Sequence, residues 1–185
     1  MNDNRVCPVE RAGILDMWFR RFLHNPQKIL RPYISEGMTV LDLGCGPGYF
    51  TLDIARMVGA SGKVIAADLQ EGMLEKLRAK IGRTRIVHNI VFHQCTEDTM
   101  GVKEAVDFIL LFYVFHEITH PSELLREMID ILKPNGKVLI AEPNFHVSRK
   151  DFSATISLMR ETGFEIVEEP RIFISRSVVL QKRHP

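Results

Sequence analysis

From Met38 onward, short apolar runs alternate with amphipathic stretches, and this alternation constrains the fold more than any other feature. Met38–Leu43, Lys63–Asp68, Asn89–Gln94, Val106–Phe112, Lys137–Glu142, Phe164–Glu168 and Phe173–Gln181 read as strands. Between them, helical patterns fall at Tyr49–Val58, Glu71–Ile81, Ser122–Leu132 and Phe152–Glu161, the last ended by Gly163. Strands that alternate with helices pair in parallel, with helices covering both faces of the sheet. The last two strands have no helix between them, so one of the two runs antiparallel near an edge. The pattern predicts a single doubly wound, Rossmann-like α/β domain over residues 36–185.

Ahead of it, Ile14, Leu15, Trp18, Phe19, Phe22 and Leu23 recur at helical spacing. Asn25-Pro26 then opens a second short helix through about Ile34, as N-cap and first helical residue. Residues 1–35 are therefore expected to form an N-terminal helical cap.

The 185 residues fit one domain, and 45% hydrophobic with 25% charged residues excludes wholesale disorder and a disulfide scaffold. Three cysteines, Cys7, Cys45 and Cys95, are odd in number and far apart, which fits a reducing, cytoplasmic setting. A net charge of +1 gives no global field to recruit nucleic acid. No apolar run approaches the ~20 residues of a membrane span, and the polar start does not read as a signal peptide.

The first strand runs into Gly44-Cys45-Gly46-Pro47-Gly48, which opens the first long helix. In this fold, ligands bind outside the carboxyl ends of the strands. Asp68 ends the next strand 20 residues after Gly48, where a carboxylate can accept both ribose hydroxyls of an adenosine. The spacing G-x-G-x-G departs from the G-x-G-x-x-G of dinucleotide sites. Asp42, two residues before Gly44, would repel a pyrophosphate and attract an ammonium or sulfonium. S-adenosylmethionine carries both cations and no phosphate, so the charge pattern favours it over NAD or FAD. The alternative role for Asp42 is only to bond turn amides.

With these residues in hand, the chain resembles the class I S-adenosylmethionine-dependent methyltransferases over roughly residues 28–181. VLDLGCGPGYFT is similar to the family's first motif. VIAADLQEGML resembles the second, which implies Asp68 at the ribose with Leu69 and Gln70 flanking the adenine. FILLFYVFHEI and ILKPNGKVLIAEP resemble the fourth-strand and Leu-Lys-Pro-Gly-Gly regions of the small-molecule branch, with Asn135 in place of one glycine. The family often carries an Asp after the third strand at the adenine amino group; here Cys95 occupies that place. The contact then falls to backbone groups, Cys95, Thr96 or Glu97. The resemblance implies a seven-stranded, mostly parallel sheet whose last strand is antiparallel.

His116-Glu117-Ile118-Thr119-His120 matches the H-E-x-x-H of zinc hydrolases, which needs both histidines on one helical face. Pro121 drives His120 out of the helical region, so no metal site is expected there. His116 sits at a strand's carboxyl end, as a catalytic base or as ordinary loop packing; Glu142 ends the fifth strand, as a base, an acceptor-orienting group or a capping acid. Phe112 and Tyr113 either face the sulfonium, since aromatic faces attract cations, or belong to the core. Arg171, Arg176, Lys182 and Arg183 form a mildly basic C-terminal stretch that reads as a solvated tail rather than an RNA surface.

The residues together predict methyl transfer from S-adenosylmethionine to a small-molecule acceptor, with no membrane or nucleic-acid partner. Asp42, Gly44, Cys45, Gly46, Gly48, Asp68, Leu69, Cys95, Thr96, Glu97 and Phe112 are the expected cofactor residues. His116 is the first candidate base and Glu142 the second. A methyltransferase acting on protein or RNA, and a non-catalytic cofactor-binding protein, stand as the alternatives.

Overall fold

The structure, a computed structural model, describes residues 23–82 and 89–183. The apolar stripe from Ile14 to Phe22 and Cys7 lie outside the described residues. Asn25 starts the first described helix, α1 (Pro26–Leu30): its side chain accepts the Lys28 N–H at 3.2 Å, and Pro26 follows at the first position. α1 is shorter than the expected helix to Ile34, because residues 31–33 continue as a turn.

Seven strands follow: β1 (Thr39–Leu43), β2 (Lys63–Asp68), β3 (Ile90–Gln94), β4 (Val106–Phe112), β5 (Leu132–Pro143), β6 (Phe164–Glu168) and β7 (Ser175–Lys182). The intervening helices are α2 (Thr51–Val58), α3 (Glu71–Ile81), α4 (Pro121–Ile131) and α5 (Arg149–Thr162). The sheet order is β3-β2-β1-β4-β5-β7-β6. β1 to β5 pair in parallel, whereas β7 runs antiparallel to both β5 and β6. The expected antiparallel strand is thus β7, one place in from the edge.

The two faces of the sheet bury different partners. Leu41, Ile109, Leu111, Ile140 and Val178 face Leu125, Met128, Phe152 and Met159 of α4 and α5. Val40, Val64, Phe108, Leu110 and Val179 face Leu30, Ile54 and Val58 of α1 and α2. Each fully buried Leu, Val or Phe contributes about 1.5–3 kcal/mol relative to exposure, so this alternation locks the register and hence the position of every strand end. Strand pairing for β5 begins earlier than expected, at Leu132 opposite Val106, and resumes with Lys137 opposite Phe108. The Pro134-Asn135-Gly136 turn bulges out between the two. No helix among the described residues is long and apolar enough to cross a membrane.

Candidate active site

All of the strand-end candidates lie at the carboxyl edge of the parallel strands β1 to β5. The turn after β1 is fastened to β2 by backbone bonds: the N–H groups of Gly44 and Cys45 both donate to the Ala67 carbonyl, at 2.8 and 3.0 Å. Gly44 has φ +71°, and a methyl in its place would overlap the Val114 side chain that arrives from the end of β4. Gly46 also has positive φ, +52°, but a methyl there would meet nothing within 4 Å. Gly44 is therefore demanded by the protein's own packing, while Gly46 borders a space that a ligand can enter.

Two carboxylates frame that space. Asp68 accepts the Gly46 N–H at 2.8 Å and the Gln70 N–H at 2.9 Å, which holds the glycine turn against the end of β2. Asp42 is 3% exposed and accepts the Thr51 hydroxyl at 2.6 Å. Burial pushes the Asp42 carboxyl up to about 7; the Thr51 bond opposes this and the charge of Asp68 adds to it. Burial raises Asp68 as well, against the lowering effect of its backbone N–H donors. Neither acid has an ion-pair partner among the described residues. Two uncompensated acids suit a ligand that brings its own positive charge and hydroxyl donors, and they oppose a pyrophosphate.

The flanking candidates are more varied. Cys45 is buried in the turn, and burial together with Asp42 and Asp68 drives its thiol far above the usual range. Cys95 donates its N–H to the Asp68 carbonyl at 2.9 Å, with its thiol pushed up to about 12 by burial, then Asp68. These thiols are weak nucleophiles at neutral pH. Leu69 follows Asp68 and takes the Gln94 side-chain amide at 3.4 Å. Thr96 and Glu97 are exposed, in a turn closed by the Thr96 N–H to the Thr99 carbonyl. Phe112 is buried among Phe50, Tyr113 and His24, with ring centroids 4.5, 4.6 and 5.2 Å away.

Tyr113 follows β4 directly with φ +65°, a strained backbone for a bulky residue. It is held there by its hydroxyl, 2.8 Å from Ser175 Oγ and 3.1 Å from His24 Nε2. No sequence pattern signals this conformation, since nothing at position 113 marks a left-handed turn.

Beyond Tyr113, His116 lies in a single 3-10 turn, Phe115–Glu117. Its Nδ1 donates to Glu142 Oε2 at 2.6 Å. Glu142, 1% exposed, also accepts the N–H groups of Phe115 at 3.0 Å and His116 at 3.2 Å. A carboxylate can only accept, so it fixes the Nδ1–H tautomer and leaves the Nε2 lone pair available. Burial of the imidazole lowers its pKa, but the hydrogen bond and charge of Glu142, helped by Glu117, outweigh that, and the net shift is upward. The His146 ring sits edge-on to His116 at 4.9 Å. The H-E-x-x-H run is split: His116 and Glu117 stay in the 3-10 turn, while His120, with ψ 68°, caps α4 ahead of Pro121.

The pairing of His116 with Glu142, 26 positions apart, carries no local sequence signal. Nor does the placement of Arg176, which is not part of a solvated tail: it is half-buried in β7, with its backbone directly opposite Glu142.

Known proteins share this architecture. The ubiquinone/menaquinone biosynthesis C-methyltransferase UbiE of Escherichia fergusonii is 34% identical over 110 residues, 59% of this chain and 44% of that protein. The chain thus matches less than half the length of such curated relatives. The crystal structure of an S-adenosylmethionine-dependent methyltransferase from Aquifex aeolicus has a TM-score of 0.86 at 25% identity, covering 96% of this chain and 100% of that one. Aeropyrum pernix fibrillarin, crystallised with natively bound S-adenosyl-L-methionine, shares the fold at a TM-score of 0.64 and 16% identity, over 80% of this chain and 68% of its own. Residues 34–171 match the family model described as a methyltransferase domain. That match spans every strand from β1 to β6 and every residue predicted from the sequence to line the site; the chain belongs to the class I S-adenosylmethionine-dependent methyltransferases.

Proposed function

We propose that this methyltransferase acts on a small-molecule acceptor and that His116, oriented by Glu142, is its base. The observation that carries the reading is the 2.6 Å bond from His116 Nδ1 to Glu142. It lies where β4 and β5 end, alongside the glycine turn. S-adenosylmethionine, when bound, supplies an electrophilic methyl group on a sulfonium. This chain's residues do the rest. Asp42 attracts the positive charge of the methionine end. Asp68, already holding the Gly46 and Gln70 amides, is placed to accept the ribose hydroxyls; Cys95, Thr96 and Glu97 line the side where the adenine would lie. His116 Nε2 takes the proton that the acceptor atom loses as it gains the methyl, and Glu142 stabilises the imidazolium so formed. Positioning of this kind is worth about 7–11 kcal/mol in effective molarity, so a single base suffices beside it.

The names of the relatives support a small acceptor, since they are C-methyltransferases of quinone biosynthesis. Incubating the protein with S-adenosylmethionine labelled at its methyl and a cell extract tests the reading. Label in small metabolites is the expected result. Label confined to protein or RNA moves the acceptor to a macromolecule, and no transferred label removes the catalytic reading.

A further inference from the structure

β7 supplies a charged side chain that the site as described so far leaves unused. Arg176 pairs with Glu142 across β5 and β7. Directly opposed residues of an antiparallel pair project to the same face of the sheet. Arg176 therefore leaves the sheet on the face that carries the His116–Glu142 pair, one strand away. Its predecessor Ser175 points to the other face, where it meets Tyr113.

The buried Nε of Arg176 has no hydrogen-bond partner, and the side chain forms no ion pair among the described residues. Glu142, its cross-strand neighbour, does not claim it: that carboxylate accepts from the amides of Phe115 and His116 and from the His116 ring, and forms no bond to the Arg176 Nε. An unmatched buried donor on a guanidinium gives up its water without gaining a bond in return. Such a group beside a site calls for a partner that arrives from outside. A guanidinium is a rigid fork that matches an anionic oxygen. Nearby, the rim is apolar: Phe145, 78% exposed, follows the Asn144 amide that bonds the Ile174 carbonyl, and Phe173, 59% exposed, precedes Ile174.

We propose that Arg176 anchors the acceptor, by holding an anionic oxygen of an otherwise apolar small molecule beside His116. The inference rests on the small-molecule reading above and narrows it to acidic acceptors. That oxygen is either a carboxylate or an ionised hydroxyl, and the two are separable by experiment. Arg176 would fix one end of the acceptor while His116 addresses the atom to be methylated.

The test uses the full chain saturated with S-adenosylhomocysteine, titrated calorimetrically with benzoate, with 4-nitrophenolate at a pH where it is fully ionised, and with neutral 4-nitroanisole. At least one anion should bind more tightly than 4-nitroanisole, and which one tells carboxylate from ionised hydroxyl. Arg176→Gln should weaken that anion by at least about tenfold, the scale of a charge-assisted bond, and leave 4-nitroanisole and S-adenosylhomocysteine unchanged. As a check that needs no variant, phenylglyoxal modification of Arg176 in the wild-type protein, mapped by mass spectrometry, should be slowed by the binding anion and not by 4-nitroanisole. The proposal is overturned if neither anion outbinds the neutral probe, if Arg176→Gln binds the anion as wild type does, or if the anion leaves Arg176 unprotected. Those results with S-adenosylhomocysteine still bound and small metabolites still labelled refute Arg176 alone. Label absent from small metabolites refutes the reading beneath it.

Discussion

Thr51 donates its hydroxyl to Asp42 across 2.6 Å, and that bond is the only one that answers the buried Asp42 carboxylate among the described residues. The folded-state pKa of about 7 lies above the unfolded value near about 4. Protons are then bound more tightly by the folded chain. Its cofactor-free stability is greatest below about pH 4 in this respect and is lost as pH rises through about 7. Asp42→Asn keeps an acceptor for Thr51 and removes the titration. The variant should melt higher than wild type above neutrality and show a flatter dependence of Tm on pH, while binding S-adenosylmethionine at least about tenfold more weakly. Wild-type affinity for the cofactor should rise with pH over the same interval. Thermal melts and calorimetry across that range check both; parallel pH profiles for the two proteins would rule out Asp42 as the titrating group.

The two turn glycines should fail differently. Gly44→Ala places a methyl in Val114 and should lower stability by more than the ~1–2 kcal/mol that a left-handed residue costs. Adding Val114→Ala should recover part of that loss. Gly46→Ala meets no protein atom and should cost only the backbone strain, yet fill the space beside Asp68 and abolish detectable cofactor binding. Denaturant unfolding and calorimetry separate the effects. Full cofactor affinity in Gly46→Ala would show that the ligand approaches from elsewhere.

Replacing Asp68 by Asn leaves one oxygen for two N–H donors and turns an amide toward the other. Cofactor affinity should fall at least about tenfold, since each charge-assisted bond is worth ~1.5–3 kcal/mol. Equal affinity would place the ribose away from the end of β2.

The proposed base, His116, would work only when neutral, and its pKa is raised, so the rate should climb with pH to a plateau above the ordinary histidine range. His116→Ala should reduce kcat by about 10²–10⁴-fold. Glu142→Gln keeps an acceptor for Nδ1 but removes the charge, so the rising limb should move to lower pH. The same charge pair adds stability below the ordinary histidine value and loses it as pH passes the folded pKa. A profile that does not move in Glu142→Gln would limit Glu142 to bracing the Phe115 and His116 amides.

Strands and helices were legible because their signals are local. The apolar runs of β1, β2 and β4, the Asn25-Pro26 start and the Gly163 stop each depend on neighbours in sequence. Asp42, Asp68 and Glu142 could be placed at strand ends for the same reason. What local pattern cannot carry is register. That Glu142 bonds His116 and lies opposite Arg176 in the strand register follows from how β4, β5 and β7 pair. Arg176 consequently read as part of a basic tail, although strand pairing sets it opposite Glu142. The left-handed Tyr113 was equally silent, being imposed by contacts with His24 and Ser175 far along the chain.

β7 lies between β5 and β6, although both precede it in the chain. A ribosome-bound chain that has released β6 has no strand yet for β6 to pair with, and β5 presents an open ladder of amides and carbonyls. Threading β7 into that gap is then the event that closes the sheet. Until it happens, Val138–Ala141 of β5 form an apolar edge of the kind on which nascent chains associate. A pause in translation between β6 and β7 should therefore favour chaperone binding over folding, because the gap stays open for as long as β7 is missing.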